Sequence, residues 1–156
     1  MTWRLYGSLP AALILQLKQL QEPANKRFAR AELVLDRAGC GPLWLKDERI
    51  GTIVAACIRR GATNLHFYEL ISYVVMPNHV HLLINPRTPL KQITAGIKGV
   101  SSRSANRVLE RIGQPFWQIE SFDHWVRNEA EGEKIKRYIE NNPVKARLVT
   151  QPEKWP

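Results

Sequence analysis

Residues 74–84 are VVMPNHVHLLI, and this stretch decides the fold. It joins two runs rich in β-branched and aromatic residues, 65–76 and 79–85, which are separated only by a Pro-Asn pair. Two such runs around a short turn predict a β-hairpin. In the second strand, alternation sends His79 and His81 to one face and the apolar residues between and after them to the other. The stretch therefore predicts a strand with one core-packing face and two converging imidazoles.

Outward from the hairpin, the apolar spacing changes from a period of two to the helical period of 3.6. Strand regions are predicted on either side, at 2–5 and 116–126. Helices are predicted at 11–21, 25–37, 47–61 and 90–112, and from 129 to the sequence NNP at 141–143. Asp47 is the expected N-cap of the third helix. The last helix is predicted to close at 141–143, because a proline disfavours helix in the residue before it.

This order of elements fits a ferredoxin-like α+β domain, in which an antiparallel sheet carries its helices on one face. The hairpin would supply the central strands. With 156 residues and 44% hydrophobic content, the chain is long enough for one buried core and too short for two comfortable domains. We therefore predict a single domain over residues 1–156.

The charge of the chain favours a polyanionic partner. Lysine and arginine number 23 against 14 acidic residues, for a formal net charge of +9. Nucleic acid is the first expectation, and a merely basic soluble protein is the alternative that composition leaves open. The sequence contains neither an apolar run of about 18 residues nor a signal-peptide pattern, so we expect a soluble cytoplasmic protein.

His79 and His81 are candidate metal ligands. A divalent cation is bound by neutral imidazoles a few ångströms apart, and the i, i+2 spacing on a strand would hold them so. For this motif alone, an exposed pair of histidines without a ligand is the commoner outcome.

A second motif, KIKRYIENNPVK at 134–145, carries a candidate nucleophile. On a helix, Tyr138 and Asn142 are neighbours one turn apart. A phenol can become a covalent nucleophile, and a nearby metal can polarise the phosphate that it attacks. A half-buried packing tyrosine is the alternative for Tyr138.

The two motifs together resemble the single-tyrosine HUH transposases, and most closely their REP-associated branch. The resemblance spans most of the chain and implies a ferredoxin-like fold of the HUH type. It rests on four ordered blocks: YVVMPNHVHLL at 73–83, GQPFWQ at 113–118, ESFDH at 120–124 and YIENNPVKA at 138–146.

The resemblance implies His79 and His81 as metal ligands, Tyr138 as the nucleophile and Asn142 as the third ligand. An amide oxygen suits a hard ion such as Mg²⁺ or Mn²⁺. Asn141 is left open as a residue that caps the helix end. The implied reaction is transesterification, in which the tyrosine displaces a 3′-hydroxyl and keeps a 5′-phosphotyrosine that a new 3′-hydroxyl later resolves.

Substrates in this branch are single-stranded or hairpin-forming DNA with short palindromes, which implies a bacterial, nucleoid-associated protein and leaves a homodimer open. Two alternatives remain: a catalytically inactive DNA-binding or regulatory protein that keeps the fold, and a metal hydrolase that activates water. Relatives usually carry an extra stretch before the first strand, which leaves open a truncation at the N-terminus.

Several further side chains are candidates for DNA contact or proton handling. His124 is a candidate for supporting the metal ligands or moving a proton, although a structural histidine is commoner. For each basic candidate, a solvated helix face is an equally good alternative. Basic side chains that could neutralise DNA phosphates are Lys98, Arg103, Arg107, Arg137 and Lys145.

Overall fold

The predicted hairpin forms most of a three-stranded antiparallel sheet of order β1-β3-β2. The computed structural model describes residues 1–155. In it, β3 (His79–Pro86) lies between β1 (Thr2–Arg4) and β2 (Tyr68–Val75). The register places His81 opposite Val74 of β2. The antiparallel α+β fold is confirmed, with β3 as the central strand and β2 at an edge of this sheet.

Five helices occupy the positions that the apolar spacing predicts. Asp47 caps the third helix as expected, because its carboxylate accepts a hydrogen bond of 3.0 Å from the amide of Arg49. None of the helices within the described residues is both long and apolar enough to cross a membrane. The helices are α1 (Ala11–Gln19), α2 (Ala24–Arg37), α3 (Glu48–Thr63), α4 (Leu90–Val108) and α5 (Glu129–Lys145).

Helices cover both faces of the sheet, whereas one covered face was predicted. Val80 and Leu82 of β3 point into the main core, which α3 and α4 close. On the opposite face, Val74 and Leu83 form a smaller apolar cluster with Ile139 of α5. The hairpin strands carry apolar residues on both faces, so each face needs a cover. The two histidines lie on the face that α5 covers.

The segment 116–126 does not form the predicted strand. Instead, it makes isolated bridges to β1 and to the residue that follows β1. The amides of Gln118 and Phe122, four positions apart, bond carbonyls of β1 that are only two positions apart, at 2.9 and 2.8 Å. The additional residues between Gln118 and Phe122 interrupt the regular ladder of hydrogen bonds with β1. Lys98 supplies the missing donors, because its Nζ lies 2.6 Å from the carbonyl oxygen of Gln118 and 2.8 Å from that of Ile119.

Helix α5 does not close at 141–143 as predicted, and Pro143 lies within it. Proline removes one backbone donor, but the ladder resumes, because the amide of Ala146 donates to the carbonyl of Asn142 at 2.9 Å. Both Asn142 and Pro143 are buried. Asn142 thus keeps its place one helical turn after Tyr138.

Gly61 of α3 packs directly against the side chain of Tyr68 in β2, and it provides a test of this packing. A Cβ at residue 61 would overlap the phenol of Tyr68, with Cε1 and Cζ only 2.8 Å away. The Tyr68 ring is buried, and its hydroxyl donates to the carbonyl of Ile58 at 2.5 Å, so it has little room to yield. We expect Gly61→Ala to lower the free energy of unfolding by about 2 kcal/mol.

Urea denaturation measures this loss, and Gly99→Ala in α4 is the matched control. A Cβ there meets only the flexible end of Arg103, at 3.6 Å, so the control should gain up to about 1 kcal/mol from helix propensity. Similar effects of the two substitutions would mean that α3 does not pack closely on β2.

Candidate active site

His79 and His81 present their Nε2 atoms to each other at 3.0 Å, and both rings are buried. The Nδ1 atom of His79 lies 2.7 Å from Oδ1 of Asn78, whose amide is oriented by its own bond to the Leu35 carbonyl. Because that oxygen only accepts, Nδ1 carries the proton and Nε2 keeps its lone pair. The Nδ1 atom of His81 is engaged by the Thr2 hydroxyl at 2.8 Å.

This spacing suits one shared cation. Two donor atoms that bind one ion at right angles, each at roughly 2.1 Å, are about 3.0 Å apart. Polar partners on the far nitrogens orient the imidazoles, as is usual for metal-binding histidines. Sequence reasoning missed both partners, Asn78 and Thr2. The sequence feature that could have revealed Asn78 is its position in the turn, directly before the first histidine.

Two carboxylates of α2 face the histidines. Glu32 and Asp36 lie one turn apart, with Oε1 of Glu32 3.5 Å from Nε2 of His81 and Oδ1 of Asp36 3.6 Å from Nε2 of His79. Donor atoms of Asp36, His79 and His81 all lie within 4.8 Å of one another, so this group could hold a metal ion. The sequence feature that could have revealed these carboxylates is an acidic pair at i, i+4 in an otherwise basic helix. In the structure, Leu35 beside Asp36 is the buried residue of this helix.

Helix α5 brings both of its predicted residues to the histidines. The amide Nδ2 of Asn142 lies 3.1 Å from Nε2 of His81, while its Oδ1 is buried without a hydrogen-bond partner. Rotation of this amide by half a turn exchanges the two atoms and would direct the oxygen at the same point. The ring of Tyr138 packs edge-on against His81, with centroids 5.6 Å apart, and its hydroxyl is also buried without a partner.

Burial sets the charge states of these groups. It lowers the pKa of His79 to about 3 and that of His81 well below its usual value, so both imidazoles are neutral, the form that binds metal. Burial, with Asp36 nearby, raises the pKa of Glu32 to about 7. Burial and then the two carboxylates raise the pKa of Tyr138 far above its usual range. The phenol therefore needs a cation to stabilise its ionised form.

Of the predicted basic residues, the structure brings Lys145 to the site. Its Nζ lies 3.0 Å from Oδ2 of Asp36 and 5.1 Å from the ring centroid of Tyr138. The exposed Arg103 and Arg107 lie on α4, across the sheet from the histidines.

The remaining two basic candidates differ in their surroundings. Arg137 is exposed on α5, where it precedes the tyrosine. Lys98 is half-buried against the carbonyls of the segment after α4, and burial lowers its pKa. Lys98 thus has a structural partner already, whereas Arg137 is open to solvent.

A cavity of about 260 Å³ opens beside the tyrosine, lined in part by Glu32, His81 and Tyr138. His124 also lines it, but its Nε2 lies 2.9 Å from Oε1 of Glu131, which gives this imidazole a partner of its own. The cavity gives a ligand access to the tyrosine side of the site.

The fold and the site define an α+β protein with a metal-competent histidine pair beside a tyrosine. Residues 44–142 match the family model described as "Transposase IS200 like", which covers more than half of the chain. The protein therefore belongs to the IS200-like transposase family, whose members are DNA-cleaving transposases. The matched segment includes His79, His81, Tyr138 and Asn142, and it leaves out α2. Comparison with curated proteins and with solved structures found no match.

Proposed function

We propose that the protein is a metal-dependent endonuclease and strand transferase that cuts single-stranded or hairpin DNA through a 5′-phosphotyrosine intermediate. The observation that carries the proposal is the position of Tyr138. Its buried hydroxyl has no hydrogen-bond partner, and its ring lies against a histidine of the candidate metal group. Membership of a transposase family supports DNA as the substrate.

The residues present fit a divalent cation, for which Mg²⁺ or Mn²⁺ is proposed. His79 and His81 offer neutral nitrogens at the spacing of adjacent ligands, and Asn142 offers a buried oxygen that lacks a partner. These three residues would hold the ion. When bound, such an ion polarises a phosphate and stabilises the charge that develops on its oxygens.

The chain's own residues account for the transfer step. The Tyr138 oxygen forms a bond to phosphorus as the bond from phosphorus to the 3′ oxygen breaks. The phenol loses its proton, and the departing 3′ oxygen gains one. Because one phosphate ester replaces another, the step needs no external energy source, and a later 3′-hydroxyl reverses it. The Lys145 ammonium, 5.1 Å from the phenol ring, would offset phosphate charge.

Incubation of the purified protein with end-labelled single-stranded and hairpin oligonucleotides and Mn²⁺ tests the proposal. We expect cleavage that leaves a free 3′-hydroxyl strand and a protein-linked 5′ strand that survives denaturation. A panel of palindromic hairpins tests the REP-associated assignment, because that branch should prefer them to unstructured strands. Cleavage products with free 5′-phosphates and no protein-linked strand would support a water-activating hydrolase instead.

Binding to single-stranded DNA should weaken steeply with salt, because the chain carries a net charge of +9. Each neutralised phosphate contributes about −0.7 to the slope of log K against log salt. If Arg103 and Arg107 contact phosphates, replacing both with glutamine should make the slope shallower by about 1.4. Fluorescence anisotropy across a salt series measures this slope.

Arg30→Gln is the control for this measurement, since Arg30 already forms a bidentate pair with Glu22 at 3.0 and 2.8 Å. Its slope should stay close to that of the wild type. An unchanged slope in the double variant would remove Arg103 and Arg107 from the DNA interface.

A further inference from the structure

Helix α2 lies outside the segment that matches the transposase family, yet it contributes two carboxylates to the histidine pair. Glu32 and Asp36 are the two acidic residues of this helix. Their i, i+4 spacing turns both toward the site. Two carboxylates beside the histidine pair therefore come from outside the segment that matches the family.

Asp36 has the environment of a metal ligand. Its side chain is 9% exposed, and its Oδ1 is buried without a hydrogen-bond partner, 3.6 Å from Nε2 of His79. A buried carboxylate oxygen without a donor or a cation is unfavourable. The other oxygen, Oδ2, is held by Lys145 at 3.0 Å, as ligating carboxylates are commonly held by a second polar group.

We propose that Asp36 is a ligand of the divalent cation, added by α2 to His79, His81 and Asn142, and that Lys145 orients it. The proposal rests on the proposed function, because the cation is the same one. Two imidazoles with a carboxylate and an amide oxygen leave positions open for phosphate oxygens on a six-coordinate ion. The carboxylate also favours Mn²⁺ or Mg²⁺ over softer metals.

Asp36 suits this role better than Glu32, although both carboxylates approach a histidine. Within residues 1–155, Asp36 completes with His79 and His81 a set of donor atoms that all lie within 4.8 Å of one another, and Glu32 is not part of it. The Glu32 side chain is also the more exposed of the two, at 14% against 9%. Glu32 is therefore the matched control for Asp36, on the same helix and one turn away.

Titration of the metal-free, full-length protein with Mn²⁺, followed by the electron paramagnetic resonance of the free ion, measures the affinity directly. We expect Asp36→Asn to weaken Mn²⁺ binding by at least about tenfold. Glu32→Gln removes a neighbouring charge but no proposed ligand, so it should weaken Mn²⁺ binding clearly less than Asp36→Asn does. Wild-type affinity in Asp36→Asn would overturn the assignment, and so would an equal loss in both variants.

The titration separates this inference from the proposed function. If His79→Ala loses Mn²⁺ while Asp36→Asn keeps it, Asp36 is not a ligand and the histidine site stands. If the wild type binds no Mn²⁺, the metal site itself is wrong and both fail. Circular dichroism of each variant checks that lost binding does not reflect unfolding.

Asp36→Cys gives a second readout that does not depend on affinity. A thiolate at residue 36 within reach of the ion should give Co²⁺ a ligand-to-metal charge-transfer absorption. The wild type is the control, because its own cysteines, Cys40 and Cys57, lie outside the metal group. A cobalt spectrum identical to that of the wild type would show that residue 36 does not reach the ion and would overturn the proposal.

Discussion

Tyr138→Phe is expected to abolish DNA cleavage and the covalent adduct while leaving the protein folded. The substitution removes only the hydroxyl, so the proposed nucleophile is lost and the cleavage rate should fall by at least about a thousandfold. That hydroxyl is buried without a hydrogen-bond partner. Its removal leaves the packing of the ring intact, so the free energy of unfolding should stay within about 1 kcal/mol of the wild type.

A single-turnover cleavage assay and urea denaturation measure the two effects on the same preparation. Tyr73→Phe is the matched control, because the Tyr73 hydroxyl accepts a hydrogen bond of 2.7 Å from Arg59 on the other side of the sheet. That variant should cleave at the wild-type rate. A phenylalanine variant at 138 that still cleaves would mean that water is the nucleophile. A large loss of stability would mean that the hydroxyl has a structural role.

His79→Ala and His81→Ala are each expected to abolish metal binding and to reduce cleavage by a similar factor. Each removes one of two nitrogens that lie 3.0 Å apart and that would share the ion. His79→Ala also leaves the buried Oδ1 of Asn78 without its donor, so the variant should lose about 1–3 kcal/mol of stability yet remain folded.

Thermal unfolding with and without Mn²⁺ measures the metal effect separately from activity. A hundredfold excess of Mn²⁺ over its dissociation constant should stabilise the wild type by about 2.7 kcal/mol and should not stabilise the alanine variants. His66→Asn is the control: His66 is exposed at a φ of 52°, a conformation that asparagine tolerates. Stabilisation by Mn²⁺ in either alanine variant would remove that histidine from the metal site.

The sequence was sufficient to predict the hairpin and the arrangement of its histidines. Strand alternation alone puts His79 and His81 on one face, and helical spacing alone puts Tyr138 and Asn142 one turn apart. These are local rules, and the local geometry of the structure follows them. The docking of α5 on the face of the sheet that carries the histidines depends on tertiary packing. The resemblance to a known family implied this arrangement, whereas periodicity did not.

The parts that sequence reasoning missed depend on packing between distant segments. Asp36 belongs to an amphipathic helix whose spacing shows a buried face but not what that face meets. The predicted strand at 116–126 fails because extra residues interrupt its pairing with β1, and Lys98, in another element, satisfies two of the carbonyls left without a strand partner. Pro143 would end an isolated helix, yet here it and Asn142 are buried against the sheet, so tertiary packing holds the helix together.

The central claim is that Tyr138 becomes covalently joined to the 5′ end of the cut strand. The most direct measurement is peptide mapping by mass spectrometry of the denatured protein–DNA adduct, after nuclease trimming of the attached strand. The account predicts one modified peptide, from α5, that carries a nucleotide 5′-phosphate on Tyr138. A nucleotide on another residue, or cleaved DNA without any modified peptide, would contradict it.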